Sequence, residues 1–238
     1  MENGDGLTGA EVRRSVRVSS RRGSIEIVAE QRRDVVATKG GEPIDLHDSD
    51  DGISVSSRRS PLVVRVPERT DVVVGTVSGR VTCTGRLGDV SVNTVSARID
   101  VEHAARVDAR STSGRVEVRS CEGEVRCDVA SGRAEVGAAG SVQLSTANGR
   151  IVAPRVGGKV RARTVNGRIE IGVTETPIDV AVEAVNGRIE VRVPVGARPS
   201  TRLRSMSGRV RCGVEEGSDG TVRARTVAGS IVIEEGLA

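Results

Sequence analysis

The chain has 238 residues, a formal net charge of +4 at pH 7 and no Phe, Trp or Tyr. Aromatic rings are the usual filling of wide cores, so a core of Val, Ile, Ala, Thr and Leu must be thin, and the same absence argues against stacking on bases or sugars. Charged residues make up 29% of the chain in alternation with β-branched ones, which excludes general disorder, and no apolar run reaches the length of a membrane-spanning helix.

The opening Met1-Glu2-Asn3-Gly4-Asp5-Gly6 lacks the basic region and apolar stretch of a secretory signal, so a cytoplasmic location is expected, peripheral to a membrane if attached to one. Residues 1–12 read as a flexible tail. Strand-like alternation starts at Ser15-Val16-Arg17-Val18 and returns at Ser24-Ile25-Glu26-Ile27-Val28, with Arg21-Arg22-Gly23 as a tight turn between them. Less regular strands follow at Asp34-Val35-Val36-Ala37, Gly52-Ile53-Ser54-Val55 and Pro61–Pro67. Residues 13–75 are therefore expected to form irregular first coils or an N-terminal cap, continuous with a regular region over 76–238.

In that region a unit of small polar residue, Gly, Arg and Ile or Val keeps returning. It includes Ser78-Gly79-Arg80-Val81, Ser113-Gly114-Arg115-Val116, Asn148-Gly149-Arg150-Ile151, Asn166-Gly167-Arg168-Ile169, Asn186-Gly187-Arg188-Ile189 and Ser207-Gly208-Arg209-Val210, with looser copies around Ala97, Gly132 and Gly229. The copies follow one another at a nearly constant step up to Asn166 and at a slightly longer one beyond it. A short fixed period of this kind is the mark of a solenoid. A second Gly-led strand lies halfway between copies, as in Gly88-Asp89-Val90-Ser91-Val92 and Gly123-Glu124-Val125-Arg126-Cys127, so each coil holds two strands. Alternation then sends Val160, Ala162, Thr164, Ile169 and Ile171 inward, and Arg161, Arg163, Arg168 and Glu170 outward. Gly79, Gly114, Gly132, Gly149, Gly167, Gly187, Gly208 and Gly229 form the turns. Just before them stands a small polar column that includes Thr76, Thr94, Ser111, Thr146, Thr164, Ser205 and Thr226. The fold class expected is all-β, a single-stranded parallel β-solenoid with two strands per coil. Each strand should stack on its equivalent one coil later.

Little in the chain suggests catalysis. His47 and His103 are the only histidines, and neither sits in a motif. The acidic stretch from Asp45 to Gly52 lacks calcium-loop spacing, with Arg59 where the bidentate Glu would stand. No phosphate-binding glycine loop occurs in a strand–helix setting. Cys83, Cys127 and Cys212 each fall two residues after a Val and read, with Cys121, as core thiols rather than metal ligands or disulfides. No cofactor, metal or catalytic residue is expected.

Arginine is the exception to this blandness. Lys39 and Lys159 are the only lysines, so Arg supplies the other 34 of the 36 basic residues. One outward column, with Arg80, Arg98, Arg115, Arg133, Arg150, Arg168, Arg188 and Arg209, has Asp100, Glu117, Glu135, Glu170 and Glu190 two residues further on and can neutralise itself. The other sheet carries Arg161, Arg163, Arg202, Arg204, Arg223 and Arg225 toward the C-terminus, with Glu183 the main counter-charge. That patch is the best candidate contact surface, for an acidic protein or an anionic surface.

The small-Gly-x-[Ile/Val]-x-[Val/Ile] strands, together with Val66-Pro67 and Val193-Pro194 leading toward Ser-Gly or Asn-Gly turns, resemble the bacterial toastrack, or adhesin-like, family of β-strand repeats over residues 13–235. This chain departs from it in placing Arg after Gly. The resemblance implies a right-handed β-helix-like stack, no established catalytic activity, and an association with envelope-stress systems and membrane-linked partners. The reading favoured is a non-enzymatic interaction module working through the Arg ladder. A self-assembling scaffold of the bactofilin type and a binder of polyanions or anionic membranes are the alternatives.

Overall fold

The computed structural model describes residues 15–44, 46–49 and 52–236. Residues 1–12, read as a tail, lie outside the described residues, as do Asp45, Asp50 and Asp51 of the acidic stretch. Among the described residues everything regular is β: β1 (Ser15–Arg22), β2 (Ile25–Glu30), β3 (Val36–Lys39), β4 (Glu42–Pro43), β5 (His47–Ser49), β6 (Gly52–Ser57), β7 (Leu62–Pro67), β8 (Asp71–Val156), β9 (Val160–Val173), β10 (Ile178–Val193), β11 (Ser200–Ser207), β12 (Val210–Cys212) and β13 (Gly220–Glu235). β8 is one extended path that turns corner after corner without losing its ladder bonds.

The pairing is that of a solenoid. Val142 pairs in parallel with Val160, and Val160 with Val180, each one coil further along the chain. Inward residues of the two walls meet in one thin core, where Ile151, Ile169, Ile189 and Ile231 are fully buried. The alternation expected around Ile169 holds: Val160, Ala162, Thr164, Ile169 and Ile171 are buried, and Arg163 and Arg168 are exposed.

The turn glycines are fixed by their neighbours one coil away. A Cβ on Gly149 would sit far inside contact distance of the Gly132 carbonyl oxygen, and one on Gly167 would do the same to Gly149. At these two corners backbone stacks on backbone and leaves no room for a Cβ, although Ala97 holds the equivalent corner of an earlier coil. Around this column Asn166 donates to Asn148 at 2.9 Å and Asn186 to Asn166 at 3.0 Å. The small polar column is real as well. Thr76, Ser111, Thr146, Thr164 and Thr226 are buried, and Ser111 closes its corner by donating to the Ser113 carbonyl at 2.9 Å.

Both ends depart from simple sequential stacking. At the start, β1 lies between β6 and the first segment of β8: Val16 pairs with both Ile53 and Val72. The coil of β6 and β7 is thus outermost, and the chain passes over its own first coil to continue. At the other end β13 lies between β10 and β11, with Val222 paired to both Val180 and Thr201. Val180 and Val222 are two coils apart along the chain, the skipped coil being that of β11 and β12. The first and last described strands, β1 and β13, thus each lie one coil inside the stack.

The two outermost coils are finished differently. β3 pairs antiparallel with β7, and β5 pairs antiparallel with β6, so the outer edge of the β6–β7 coil is covered. β11 and β12 pair only with β13, and among the described residues nothing covers their other edge. The core thins there. Leu203 is half-buried, Val210 is 43% exposed, and Met206 is 85% exposed. Cys212, expected inside, is exposed for the same reason, while Cys83, Cys121 and Cys127 are buried and all four thiols are free.

Candidate functional site

The six arginines expected on one face do share it, but the inserted coil changes their order. Register gives one column Gln143–Arg161–Ala181–Arg223–Arg202 and a second Ser145–Arg163–Glu183–Arg225–Arg204. Neighbours in a column are about 4.8 Å apart, and residues two apart on a strand about 7 Å.

The columns divide into a neutralised part and an unpaired part. Arg161 grips Asp179 through both ends of its guanidinium, at 3.1 and 3.4 Å. Arg163 donates to Glu183 at 2.7 and 3.1 Å. Glu183 is therefore engaged by Arg163 on one side, leaving Arg225 on its other side without a bond. Arg223, Arg225, Arg202 and Arg204 are exposed, and among the described residues they make no ion pair or side-chain hydrogen bond. They form a two-by-two grid of cations on the last two coils. Ala181, a short side chain between two arginines in its column, lies beside the grid in a shallow recess of about 700 Å³ that the four arginines line together with Glu183. A second recess of about 670 Å³ lies nearer the middle of the same wall, but Glu124, Asp128 and Glu183 line it together with Lys159, Arg161 and Arg163, so its charges balance.

The column on the opposite wall is neutralised only in its middle: among the described residues Arg133, Arg150, Arg168 and Arg188 are in ion pairs, and Arg80, Arg98, Arg115 and Arg209 are not. Arg133 meets Glu135 at 3.2 Å, Arg188 meets Glu190 at 2.6 Å, and Glu170 receives both Arg168 at 3.5 Å and Arg150 at 3.9 Å. These pairs are solvent-exposed and each is worth about 0.2–1 kcal/mol.

Two features of the surface escape sequence reasoning. Asp179 pairs with Arg161 although it sits two positions out of register, because it reaches across diagonally. A ridge of exposed apolar residues also runs along one corner, with Val77, Val95, Val165, Val185 and Val227 each about half exposed. Its signal in the sequence is a Val just before the turn, as in Thr76-Val77-Ser78, Thr164-Val165-Asn166, Ala184-Val185-Asn186 and Thr226-Val227-Ala228.

The remaining chemistry is sparse. His103 is exposed, and the backbone of His47 lies in β5. Among the described residues no three His, Cys, Asp or Glu side chains converge as metal ligands. Burial pushes the Cys83 thiol up to about 12, with help from the Asp100 charge, and the Cys127 thiol to about 12, with help from Asp128 and Asp108. Such thiols are poor nucleophiles, because the reactive form is the thiolate.

Comparison with known proteins agrees with the architecture. The family model described as Toastrack DUF4097 matches residues 8–231, nearly the whole chain. A search among curated proteins finds no match. Among solved structures, a candidate cell adhesion protein from Clostridium sporogenes ATCC 15579 aligns over 94% of this chain and 93% of its own, at 10% identity and a TM-score of 0.24, a likeness too low to carry an argument. The periodic strands, the stacked glycine corners and the extent of the family match together establish that the chain belongs to the Toastrack family.

Proposed function

We propose that this protein is a non-enzymatic interaction module that presents Arg202, Arg204, Arg223 and Arg225 to an acidic protein segment. The observation that carries this reading is the contrast within one ladder. Arg161 and Arg163 have carboxylate partners one coil away, and the four arginines beyond them have none among the described residues. A partner strand carrying Asp or Glu at alternate positions would meet the grid as Glu183 meets Arg163. Single exposed pairs contribute only about 0.2–1 kcal/mol, so useful affinity requires several at once, and the grid offers that. Guanidinium groups suit the task because they bind carboxylates in bidentate fashion.

Self-assembly into a filament is less well supported. Head-to-tail growth needs an open edge at both ends, and β3 and β5 cover the outer edge of the β6–β7 coil. Pairing two copies through β11 would set Arg202 and Arg204 of one copy against those of the other.

The test is co-purification with tagged protein, comparing wild type with Arg202→Ser/Arg204→Ser/Arg223→Ser/Arg225→Ser and with Arg161→Ser/Arg163→Ser. The reading expects a partner with an acidic segment that the first variant loses, the second keeps, and added salt weakens. A partner list identical for all three proteins would overturn it.

A further inference from the structure

A second basic site stands at the opposite end of the stack. Ser19-Ser20-Arg21-Arg22 recurs as Ser56-Ser57-Arg58-Arg59, each with its Arg pair at a corner. The two copies lie side by side in space. Ser19 pairs with Ser56 and Ser20 with Ser57 before the corner, and Ile25 pairs with Leu62 after it, all at one and the same offset. That offset sets Arg21 beside Arg58 and Arg22 beside Arg59, and the Arg22 amide donates to the Arg58 carbonyl at 3.0 Å.

A third layer joins them. The hairpin of β3 and β4 folds back along β7, where Lys39 pairs with Leu62 and the Gly40 amide donates to the Pro61 carbonyl at 3.0 Å. One of only two lysines in the chain is thereby brought to the corner already holding four arginines. The five side chains line a concave depression of about 1150 Å³, with serines and the exposed Val77 as the rest of its wall. Among the described residues no carboxylate lines it, and none of the five cations is in an ion pair or side-chain hydrogen bond. Elsewhere on this surface some arginines, such as Arg133, Arg163 and Arg188, are matched by a carboxylate two residues on or one coil away, and others stand unpaired along a single column. Here three separate segments converge five cations with no described residue neutralising them.

We propose that this corner is a binding site for a ligand bearing clustered phosphate groups. The site draws its cations from three separate segments around one depression, and no described carboxylate lines it, whereas Glu183 lines the recess at the C-terminal grid, so this corner can surround a compact anion on several sides. Four guanidinium forks match phosphate oxygens in bidentate fashion, and a lysine adds a point charge. The wall offers serine hydroxyls for further hydrogen bonds and no aromatic face, so recognition falls on the phosphates and not on a base. A soluble oligophosphate and a phosphomonoester lipid headgroup share this chemistry.

The test is calorimetric titration of the full chain with inorganic tripolyphosphate, in parallel with co-sedimentation on phosphatidylcholine vesicles with and without phosphatidic acid. Wild type is compared with Arg21→Ser/Arg22→Ser/Arg58→Ser/Arg59→Ser and with the C-terminal variant Arg202→Ser/Arg204→Ser/Arg223→Ser/Arg225→Ser. The altered arginines are exposed, so the fold is expected to survive, and circular dichroism checks it. The doubles Arg21→Ser/Arg58→Ser and Arg22→Ser/Arg59→Ser serve if the quadruple variant does not fold. The proposal expects the corner variant to bind at least about tenfold more weakly than wild type while the C-terminal variant stays near wild type. Binding of tripolyphosphate alone would identify a soluble ligand, and binding only to phosphatidic acid vesicles would identify a headgroup; either supports the site. The proposal is overturned if neither probe binds, or if the corner and C-terminal variants lose binding equally, since that would reflect net charge and not this corner.

Discussion

The two ends of this solenoid solve the same problem in opposite ways. Each has an outermost coil whose strand edges must be dealt with, and each sets its terminal described strand, β1 or β13, one coil inward. At the first end, antiparallel strands β3 and β5 cover the edges and the coil of β6 and β7 keeps a full core, with Leu62, Val64 and Val66 completely buried. At the last end, β11 and β12 have an edge that no described residue covers, Leu203 is only half-buried, and Cys212 and Met206 are exposed. Unpaired edges invite strand addition, and charge beside them discourages promiscuous pairing. Arg202 and Arg204 sit on that free strand, so like charge disfavours pairing with another basic edge, and the proposed function has an acidic segment bind there. The difference teaches that one repeat can end in two ways, with a covered edge and a full core at one end and an open edge over a thin core at the other.

The largest effect of a single substitution on this comparison lies in the core. Ile189→Ala, in a coil with neighbours on both sides, should cost about 2–5 kcal/mol in urea denaturation, as fully buried aliphatic truncations do. Leu203→Ala in the open coil should cost about 1 kcal/mol or less. Equal losses would mean that the last coil is as well packed as the interior.

Alkaline pH should discriminate next. Cys83 and Cys127 have folded-state values near 12 against an unfolded value of 9.0, so the unfolded chain gives up their protons first as pH rises. Their contribution is fully present below pH 9 and is lost between about 9 and 12, on the order of 1 kcal/mol per thiol for each pH unit. Urea midpoints measured across that window should fall more steeply for wild type than for Cys83→Ala/Cys127→Ala.

A local effect is the smallest in energy and the clearest in readout. Iodoacetamide should modify Cys212 in the native protein and leave Cys83, Cys121 and Cys127 untouched until the chain unfolds, which mass spectrometry resolves site by site. Protection of Cys212 equal to that of Cys127 would close the end that the structure leaves open.

The solenoid itself was legible in the sequence, because a nearly constant period and strict alternation determine which side chains face inward and which corners need glycine. Ile169, Ile171 and the Asn148–Asn166–Asn186 ladder follow directly from that pattern. Stacking order did not, since a coil inserted out of turn preserves every period. Val222 on Val180 and Val222 on Thr201 look alike in the sequence, and only packing selects both. The consequences of that order were hidden with it: Cys212 emerges on an end coil, and Arg225 rather than Arg204 becomes the neighbour of Glu183. All six arginines of the candidate face could be placed on one wall from alternation alone. The separation of Arg161 and Arg163 from the rest could not, because it depends on Asp179 reaching across coils. The duplicated Ser-Ser-Arg-Arg was visible as letters, yet its meaning needed the irregular offset that carries β6 and β7 back alongside β1 and β2.

The stacking order at the open end is the central claim, because it decides which arginines border the free edge. With Cys212→Ser as background, two pairs of cysteines separate the alternatives. In the interleaved order Ala181→Cys and Arg223→Cys are adjacent in register, about 4.8 Å apart, whereas Ala181→Cys and Arg202→Cys are two strands apart at about 10 Å, beyond disulfide reach. Oxidation should therefore cross-link the first pair and leave the second reduced. Cross-linking of the second pair and not the first would show that the coils stack in simple sequence order and would contradict the account.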